Sequence, residues 1–311
     1  MISVIITSLK EPKTIGKCIQ CIAEKKYSGI TKPFEIIQVS PDELTLKAGR
    51  KMANILKLSK SEYHHIIDPH KGKPYALKLA LKKAKGEIII LTDGDTFFEA
   101  NAVEEMVKPF ENEKVGGVSG RPVSQDSRDN IFGYWGHLLS ESGDHRRRNT
   151  MQETDGYYIS TETFFPMSGY IMAMRNVNLE VPDNVLSDDA YISYSLRNKG
   201  LEIAYNPNAV CYVKYPTNLK DYYKQKVRSL GGFKQLKKFG VFKKDKQSRS
   251  FFIELPYAFF VLKYPKNLKE FIWSLCLFPI RLMTWIKIFW ERDILQKDMP
   301  STGWERIEST K

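Results

Sequence analysis

The chain contains few cysteines, and their positions do not suggest a disulfide scaffold. Cys18, Cys21, Cys211 and Cys276 are the four cysteines among 311 residues. So small a number excludes a disulfide-stabilised secreted domain and is typical of a reducing compartment. Cys18 and Cys21 have the C-x-x-C spacing of redox and zinc motifs. We interpret them as ordinary helix residues, because a second pair at zinc spacing is missing.

The sequence also lacks the segments that direct a chain out of the cytoplasm. Neither a basic stretch nor a long apolar stretch precedes the first strand pattern, so a cytoplasmic location is predicted. Two apolar segments lie near the C-terminus, at 251–262 and 271–290. Neither fits a membrane span, because the first is shorter than the roughly 20 residues required and the second contains Arg281, Lys287 and Pro279.

Acidic residues are outnumbered by basic ones. Lys and Arg total 48 against 36 Asp and Glu, so the formal net charge is +12. This excess favours an anionic partner: a nucleotide diphosphate, an acidic membrane surface or a nucleic acid. It is concentrated in 220–249, where eleven of thirty residues are basic and two are acidic. Together with the aromatic segments that follow, it predicts peripheral membrane contact through 250–292. The alternative is packing on the rest of the chain or on another subunit.

Strand and helix patterns alternate through the first 121 residues. Strands are predicted at 2–7, 34–40, 63–67, 87–91 and 115–120, and helices at 12–25, 42–58, 74–84 and 99–110. This alternation predicts an α/β fold, with a mostly parallel sheet flanked by helices. Further helices are predicted at 130–142 and 186–198, strands at 202–205 and 209–213, and a solvated loop at the basic run 145–148. Amphipathic helices are predicted at the C-terminus.

Two carboxylates, Asp93 and Asp95, follow the strand predicted at 87–91. Charged groups next to an apolar core need partners, and a divalent cation is an efficient one. Mg²⁺ and Mn²⁺ prefer such oxygen ligands and often share them with a substrate diphosphate. The carboxyl ends of strands in an open α/β sheet are also where ligands bind. An Asp-Gly turn after a strand produces the same letters, so the pair alone leaves both interpretations open.

Several segments, taken in order, resemble glycosyltransferase family 2 over about residues 1–240. They are Ser3-Val4-Ile5-Ile6-Thr7 with Glu11; Gly72-Lys73-Pro74-Tyr75-Ala76-Leu77-Lys78 and the run 85–95, similar to G-K-x-x-A-L-N … G-E-I-I-x-x-x-D-x-D; Ser168-Gly169-Tyr170 with Arg175; 186–197, similar to E-D-x-x-L-S-x-x-L-R; and Gln225-Lys226-Val227-Arg228, similar to Q-x-x-R-W. Each piece is modest alone, and their order and spacing make the resemblance specific.

The resemblance implies a GT-A fold, which is Rossmann-like, and an inverting sugar transfer that depends on a divalent metal. It implies a glycosyltransferase domain at 1–240, with a nucleotide-sugar part at 1–121 and an acceptor part at 122–240. A basic, aromatic helical region follows at 241–311. The expected donor is a UDP- or GDP-sugar. The expected acceptor is of the sugar, lipid or polysaccharide type, with a hydroxyl or phosphate that is lipid-linked or close to the cytoplasmic face of a membrane.

The resemblance also assigns roles to single residues. Asp95 is the expected ligand of Mn²⁺ or Mg²⁺, and Asp93 is expected to contact the metal or the ribose. Asp189 stands at the position of the general base, with Asp188 beside it; helix capping is the alternative interpretation of this pair. The other expected contacts to the nucleotide sugar are Thr7, Glu11, Ser40, Asp42, Lys73, Gln225 and Arg228.

Some positions depart from the family pattern. Ser40-Pro41-Asp42 replaces an acidic D-x-S turn, which puts the base contact there in doubt. Val213 and Lys214 stand where some relatives carry a histidine metal ligand, so the metal is expected to rest on Asp95 and the diphosphate. Ser229 replaces the tryptophan of processive polysaccharide synthases, which argues against a chain-extruding synthase.

Two other function classes remain. A sugar nucleotidyltransferase has a similar sheet, but its first strand usually leads into a glycine-rich basic loop, and residues 7–13 contain no glycine. A nucleic-acid-binding protein would use the positive charge, with bases stacked on aromatics such as Tyr222, Tyr223, Phe233, Phe239 and Phe242. That interpretation leaves both aspartate pairs without a role, so no nucleic-acid partner is expected.

Overall fold

A computed structural model describes residues 1–24, 32–162, 164–242, 257–295 and 307–310. In these ranges the strands are β1 (Ile2–Thr7), β2 (Phe34–Ser40), β3 (Tyr63–Ile67), β4 (Ile88–Asp93), β5 (Phe97–Phe98), β6 (Val115–Ser124), β7 (Gln152–Thr154), β8 (Tyr157–Ile159), β9 (Ile171–Arg175) and β10 (Glu202–Val213). The α-helices are α1 (Ile15–Ala23), α2 (Glu43–Ile55), α3 (Lys73–Lys83), α4 (Ala102–Val107), α5 (Ile131–Thr150), α6 (Asp188–Asn198), α7 (Leu219–Gln235), α8 (Ala258–Lys263) and α9 (Leu268–Phe289). A short turn of 3₁₀-helix, Glu308–Thr310, is the C-terminal turn.

The strands form one sheet in the order β3-β2-β1-β4-β9-β6-β10-β8-β7, with β5 paired to β10. The strands β3, β2, β1 and β4 are parallel, and β6 is parallel to β10. Strand β9 lies antiparallel between β4 and β6. The predicted α/β fold with a flanked sheet is therefore confirmed. The two strands predicted at 202–205 and 209–213 are one strand, β10, with an irregular step between Tyr205 and Val210.

Strand β1 lies inside the sheet, and its sequence shows why. All six of its residues are buried. Val4 and Ile6 pack in the apolar layer that contains α1, and Ile5 packs in the opposite layer, which contains Leu77 of α3. Successive side chains of a strand point to opposite faces, so a strand that is covered on both faces is apolar throughout. The parallel register places the end of β1 beside the end of β4, with Thr7 next to Asp93.

The basic run at 145–148 is not a solvated loop, and that prediction was wrong. It belongs to α5, and Arg146 and Arg147 are only 8% and 6% exposed. The guanidinium of Arg146 lies over the rings of Phe165 and Tyr257, at 4.4 and 4.8 Å from their centroids. Aromatic faces attract cations, so aromatic residues far away in the sequence stabilise these arginines inside the fold.

The C-terminal helices are fixed to the rest of the chain by specific contacts. Arg128 donates to the two carboxylate oxygens of Glu270, at the start of α9, over 2.7 and 2.9 Å. The hydroxyls of Tyr134 and Ser274 lie 2.6 Å apart in a buried hydrogen bond. The packing alternative for these helices is thus realised. Of the apolar segment at 251–262, residues 251–256 lie outside the described ranges.

The outer face of α9 is apolar and exposed. Ile272, Met283 and Ile286 are each more than half exposed, at 52%, 62% and 57%. Within the described ranges, α9 is long and apolar enough to cross a membrane by length and composition. Length and composition alone do not assign a helix to a membrane, so the expectation that this segment is not a span stays a prediction. Contact with a membrane stays a prediction.

Candidate active site

The ends of β1 and β4 bring the first aspartate pair next to polar partners. Thr7 Oγ1 donates to Asp93 Oδ1 over 2.9 Å. Lys73 Nζ lies 2.7 Å from the same Asp93 oxygen and 3.9 Å from Asp188 Oδ2. Lys73 therefore lies between the two aspartate pairs, which are almost a hundred positions apart in the sequence.

The position of Lys73 depends on the residue before it. Gly72 has φ of 99°, in the region that favours glycine, and the chain turns there so that Lys73 is the first residue of α3. Burial acts to lower the pKa of Lys73, but the charges of Asp93, Asp188 and Asp189 outweigh it and raise the pKa above its ordinary value. The ammonium group is therefore charged at neutral pH and offsets the repulsion between these carboxylates.

A glycine that the packing requires separates Asp93 from Asp95. A Cβ atom on Gly94 would come within 2.4 Å of Glu11 Oε2 and 2.8 Å of Ser8 Cβ. Strand β4 ends at Asp93, and the tight turn that follows places Asp95 in the same cavity as Glu11. The close approach explains why the residue between the two aspartates has no side chain.

A cavity of about 440 Å³ opens at these strand ends, and we call it the strand-end cavity. Seven of the predicted site residues line it: Thr7, Glu11, Lys73, Asp93, Asp95, Gln225 and Arg228. Thr7, Glu11, Asp93 and Asp95 come from the sheet and its loops, Lys73 is the first residue of α3, and Gln225 and Arg228 come from α7. The structure thus brings together most of the residues that were predicted to bind a nucleotide sugar.

Ser40 and Asp42 lie beside this cavity, and Pro41 between them lines it. Asp42 is the N-cap of α2 and accepts a hydrogen bond from the Thr45 backbone N–H over 2.9 Å. The Ser40 hydroxyl and the Lys10 backbone N–H both donate to Asp42 Oδ2. Burial acts to raise the pKa of Asp42, but these hydrogen bonds outweigh it and lower the pKa. Both residues stabilise the loops around the cavity, and their contact with a nucleotide stays a prediction.

The second aspartate pair begins α6. Ser187 occupies the N-cap position, and Asp188 and Asp189 form the first turn, where carboxylates interact favourably with the helix dipole. The capping position expected for Asp188 is therefore shifted by one residue. Asp188 is 3% exposed. Asp189 faces the loop at Gly169, where an added Cβ would lie 3.4 Å from Asp189 Oδ2.

A second cavity, of about 770 Å³, begins at Asp188 and Asp189 and extends between α5, α7 and α9. We call it the helical cavity. The residues that line both cavities are Lys73, Asp93, Tyr170, Gln225 and Arg228. The two cavities therefore meet around Lys73, so a group bound in one can reach a group bound in the other.

Tyr170 forms part of the boundary between the cavities. The Gln225 side-chain amide lies 3.4 Å from its hydroxyl. Burial, and then the charge of Asp95, raises the pKa of Tyr170 to about 12. The phenol is therefore protonated at neutral pH and can serve as a hydrogen-bond donor at this boundary.

Asp93 and Asp95 are the residues that could hold a divalent cation, because carboxylate oxygens suit Mg²⁺ and Mn²⁺. Asp93 is bound to Lys73, and both aspartates line the strand-end cavity. In the part of the chain that the structure describes, no group of three or more His, Cys, Asp or Glu forms a metal site. A cation at Asp95 would need further oxygen ligands from a bound molecule, as a diphosphate supplies.

One lining element was not predicted from the sequence. The strand-end cavity is also lined by Thr310, which belongs to the C-terminal turn, and by Ile307, which directly precedes it. The turn is held by α7, because Asp221 accepts a hydrogen bond from the Ser309 backbone N–H over 3.0 Å. No local pattern in the sequence indicates this contact, since its two sides are almost ninety positions apart.

The arginines of the helical cavity were also missed. Arg146 and Arg147 line it, although the run that contains them was interpreted as a loop. A signal was present in the sequence. Asp144 and Arg148 stand at i and i+4, a spacing that supports a helix, and their side chains form an ion pair with a distance of 2.9 Å.

Comparison with known sequences identifies relatives of this arrangement. The family described as "Glycosyltransferase like family 2" matches residues 1–232. A poly-beta-1,6-N-acetyl-D-glucosamine synthase of Staphylococcus aureus (strain COL) is 25% identical over 232 residues, which are 73% of this chain and 53% of that protein. A synthase of the same name from Staphylococcus epidermidis is 27% identical over 165 residues, which are 52% of this chain and 39% of that protein. The chain thus spans about half the length, or less, of these curated relatives.

Solved structures share the fold. A mannosyltransferase, PcManGT from Pyrobaculum calidifontis in complex with GDP-Man and Mn²⁺, superimposes with a TM-score of 0.62 at 18% identity, over 96% of this chain and 88% of that one. GalNAc-T7 with UDP, GalNAc and Mn²⁺ gives a TM-score of 0.54 at 14% identity, over 86% of this chain and 59% of that one. At such identities the likeness concerns the fold, and the predicted GT-A fold is confirmed.

Proposed function

Because this chain belongs to glycosyltransferase-like family 2, we propose that it transfers one sugar from a UDP- or GDP-sugar to an acceptor, with inversion at the sugar carbon. The prediction of a family-2 glycosyltransferase is confirmed by the family match. The donor, the acceptor and the residue roles are the proposal. The observation that carries it is the meeting of the two cavities at Lys73, with Asp93 on one side and Asp188 on the other.

The strand-end cavity is proposed to bind the nucleotide sugar. Cleavage of the bond between the sugar and the diphosphate leaves negative charge on the nucleotide. The guanidinium group of Arg228 has a fork of N–H donors that suits phosphate oxygens. In the same cavity, Thr7 and Lys73 hold the carboxylate of Asp93 in place. A divalent cation at Asp95 would supply Lewis-acid stabilisation of that charge. Both structural neighbours contain Mn²⁺, which supports a cation of this kind.

Asp189 is proposed to remove the proton from the acceptor hydroxyl. A general base must lie within hydrogen-bond reach of the acceptor hydroxyl, whose oxygen approaches the sugar carbon that is attacked. Asp189 lines the helical cavity close to the boundary with the strand-end cavity. Asp188, which is buried and 3.9 Å from Lys73, is proposed to position its neighbour.

The helical cavity is proposed to receive the acceptor, a hydroxyl or phosphate compound that is lipid-linked or close to a membrane. The apolar outer face of α9 would lie on the cytoplasmic face of that membrane, with Trp290, 57% exposed, at its end. Each basic residue near an anionic membrane surface contributes about 1 kcal/mol to the free energy of membrane binding. The nucleic-acid alternative loses support, because Tyr222 and Phe233 are 2% and 5% exposed and their rings do not offer a stacking surface.

The test is a thermal-unfolding panel with UDP-, GDP-, CMP- and dTDP-sugars, each with Mn²⁺, Mg²⁺ or EDTA. A ligand at a hundred times its dissociation constant stabilises a fold by about 2.7 kcal/mol, which is measurable. We expect one nucleotide class to stabilise the chain in the presence of metal only. Asp95→Ala should abolish that stabilisation, whereas Glu180→Ala, at an exposed position outside both cavities, should keep it. Absence of a metal-dependent shift with every nucleotide would contradict the proposal.

A further inference from the structure

Lys73 lies between two carboxylates, and its distances to them are unequal. Its Nζ atom is 2.7 Å from Asp93 Oδ1, within hydrogen-bond distance, and 3.9 Å from Asp188 Oδ2, beyond it. The Asp93 oxygen also accepts a hydrogen bond from Thr7 Oγ1 over 2.9 Å. Two donors therefore converge on one oxygen of Asp93, whereas Lys73 and Asp188 attract each other without forming a hydrogen bond.

Asp188 is a carboxylate that would gain from a closer approach of Lys73. The residue is 3% exposed, and among the described residues no hydrogen-bond donor contacts its Oδ2 atom. A buried carboxylate oxygen is unfavourable without a hydrogen bond, and native structures contain few of them. The Lys73 ammonium group has three N–H donors, and a movement of about 1 Å would be enough to supply that bond.

A divalent cation in the strand-end cavity provides a reason for this movement. Asp93 and Asp95 are the residues that could hold the cation, and Asp93 is paired with Lys73. The cation and the ammonium group compete for the Asp93 oxygens and repel each other, because both are positive. The charges of Asp188 and Asp189 also attract Lys73. Since the Lys73 side chain is only 16% exposed, it exchanges one carboxylate for another rather than for water.

The side chain of Lys73 can move while the backbone stays in place. Its ammonium group stands at the end of a flexible stem of four carbons. The helix that carries it, α3, is fixed by Ala76 and Leu77, which are buried in the same apolar layer as Ile5 of β1. A shift of the ammonium group therefore needs a change of rotamer only.

We propose that Lys73 is a positioning residue that exchanges carboxylates when a divalent cation binds: it releases Asp93 to the cation and moves about 1 Å onto Asp188 Oδ2. The ion pair with Lys73 then fixes the first turn of α6, which also contains Asp189, the proposed base. The inference rests on the proposed function, because it names how binding at the donor site positions the group that removes the acceptor proton.

The test measures Mn²⁺ binding to the full chain without nucleotide, from the electron paramagnetic resonance signal of unbound Mn²⁺. We expect Lys73→Met to bind Mn²⁺ about tenfold more tightly than the unmodified chain, because the competing charge at Asp93 is gone. Lys73→Arg keeps that charge and should bind Mn²⁺ as the unmodified chain does. Lys82→Met makes the same charge change at an exposed position of α3 outside both cavities and should leave the affinity unchanged. Equal or weaker Mn²⁺ binding by Lys73→Met would overturn the exchange.

Further variants test the carboxylate to which Lys73 moves. Asp188→Asn should weaken Mn²⁺ binding about tenfold, because Lys73 then stays on Asp93. The same change in the Lys73→Met background should alter the affinity by less than twofold. A loss of similar size in both backgrounds would mean that Asp188 acts on the cation directly, and would overturn the exchange. Asp188→Asn preserves the shape of the side chain, so an unchanged affinity in this variant would overturn the exchange even if Lys73→Met does not fold.

These titrations contain no nucleotide, so their outcome is independent of the nucleotide panel. If the expected Mn²⁺ affinities are found and no nucleotide sugar stabilises the chain, the proposed function alone is contradicted. If nucleotide sugars stabilise the unmodified chain and Lys73→Met does not bind Mn²⁺ more tightly, the exchange is overturned and the proposed function stands.

Discussion

The strand-end cavity and the helical cavity are built on different principles. The first is formed where parallel strands end, and its polar groups fix one another, as Thr7, Asp93 and Lys73 do. The second is formed by helices, and its shape depends on how α9 is held against α5 and α7. A rigid sheet edge suits a donor whose diphosphate must be placed accurately, whereas a helical wall can vary with the acceptor while the donor site is kept.

The largest expected effect lies where the two cavities meet. Asp189→Asn should lower turnover by about 10²–10⁴-fold, because a positioned base contributes that much, while the metal-dependent nucleotide stabilisation is kept. Turnover is measured as nucleoside diphosphate release from the donor that the panel identifies, with a total lipid extract as the source of acceptor. Asp183→Asn, at an exposed residue that pairs with Lys78, is the matched control. Turnover within threefold of the unmodified chain would assign the proton transfer to another group.

The next effect should separate the stability of the helical wall from that of the sheet. Arg128→Met leaves the buried carboxylate of Glu270 without its ion-pair partner, which should destabilise the chain by about 3 kcal/mol in thermal unfolding. Nucleotide binding measured well below the melting temperature should not weaken. Lys269→Met, at an exposed neighbour of Glu270 on α9, should cost less than about 1 kcal/mol. A loss of nucleotide affinity in the Arg128→Met variant would mean that the two cavities are not separable.

A smaller effect should follow from pH at the same contact. Hydrogen bonding from Arg128 lowers the pKa of Glu270 to about 2, whereas an ordinary glutamate has a pKa of 4.5. The contribution to stability is therefore complete above pH 4.5 and is lost as the pH falls toward 2. After allowance for solvent screening, we expect the free energy of unfolding to fall by about 1 kcal/mol between pH 5 and pH 3, as this contribution is lost. Glu270→Gln should remove this part of the pH dependence, and an unchanged profile would contradict the assignment.

The smallest effect concerns the C-terminal turn at the strand-end cavity. Asp221→Ala removes the hydrogen bond that Ser309 donates, which is worth about 1 kcal/mol or less at a partly exposed position. We expect a two- to fivefold loss of nucleotide affinity in calorimetric titration. Glu113→Ala, an exposed change on another surface, should leave the nucleotide affinity as it is. An unchanged affinity in the Asp221→Ala variant would contradict a role of the turn at the strand-end cavity.

The two cavities also differ in how far the sequence could predict them. The bounds of β1 and β2 agree with the predicted strands, because a strand buried on both faces has an apolar pattern that neighbouring residues alone determine. The bounds of β3 agree as well, although β3 is an edge strand without a fully buried residue. Asp93 and Asp95 were found in the same way, because they follow the apolar pattern of the strand predicted at 87–91. Their partnership with Lys73 could be expected only through the family resemblance, since the contact joins distant segments. The catalytic roles and the domain boundary at 240 stay predictions.

The helical cavity was largely beyond prediction from the sequence. Four consecutive basic residues at 145–148 are typical of a solvated loop, and the rings of Phe165 and Tyr257, which lie outside the run, contribute to making burial of Arg146 favourable. The division of α9 into a packed face and an exposed face depends on its contacts with α5 and α7, which are distant in the sequence. In both cases the deciding contacts are tertiary, and a local pattern does not contain them.

The C-terminal turn has a practical consequence for anyone who handles this protein. Ile307 and Thr310 line the strand-end cavity, so an affinity tag that begins shortly after residue 310 would start close to the proposed nucleotide site. Met1 precedes β1 at the end of the sheet opposite Thr7, about 20 Å away for a strand of this length. A tag placed before Met1 would therefore leave the site unobstructed, and differences in activity between the two tagged forms would report on the turn itself.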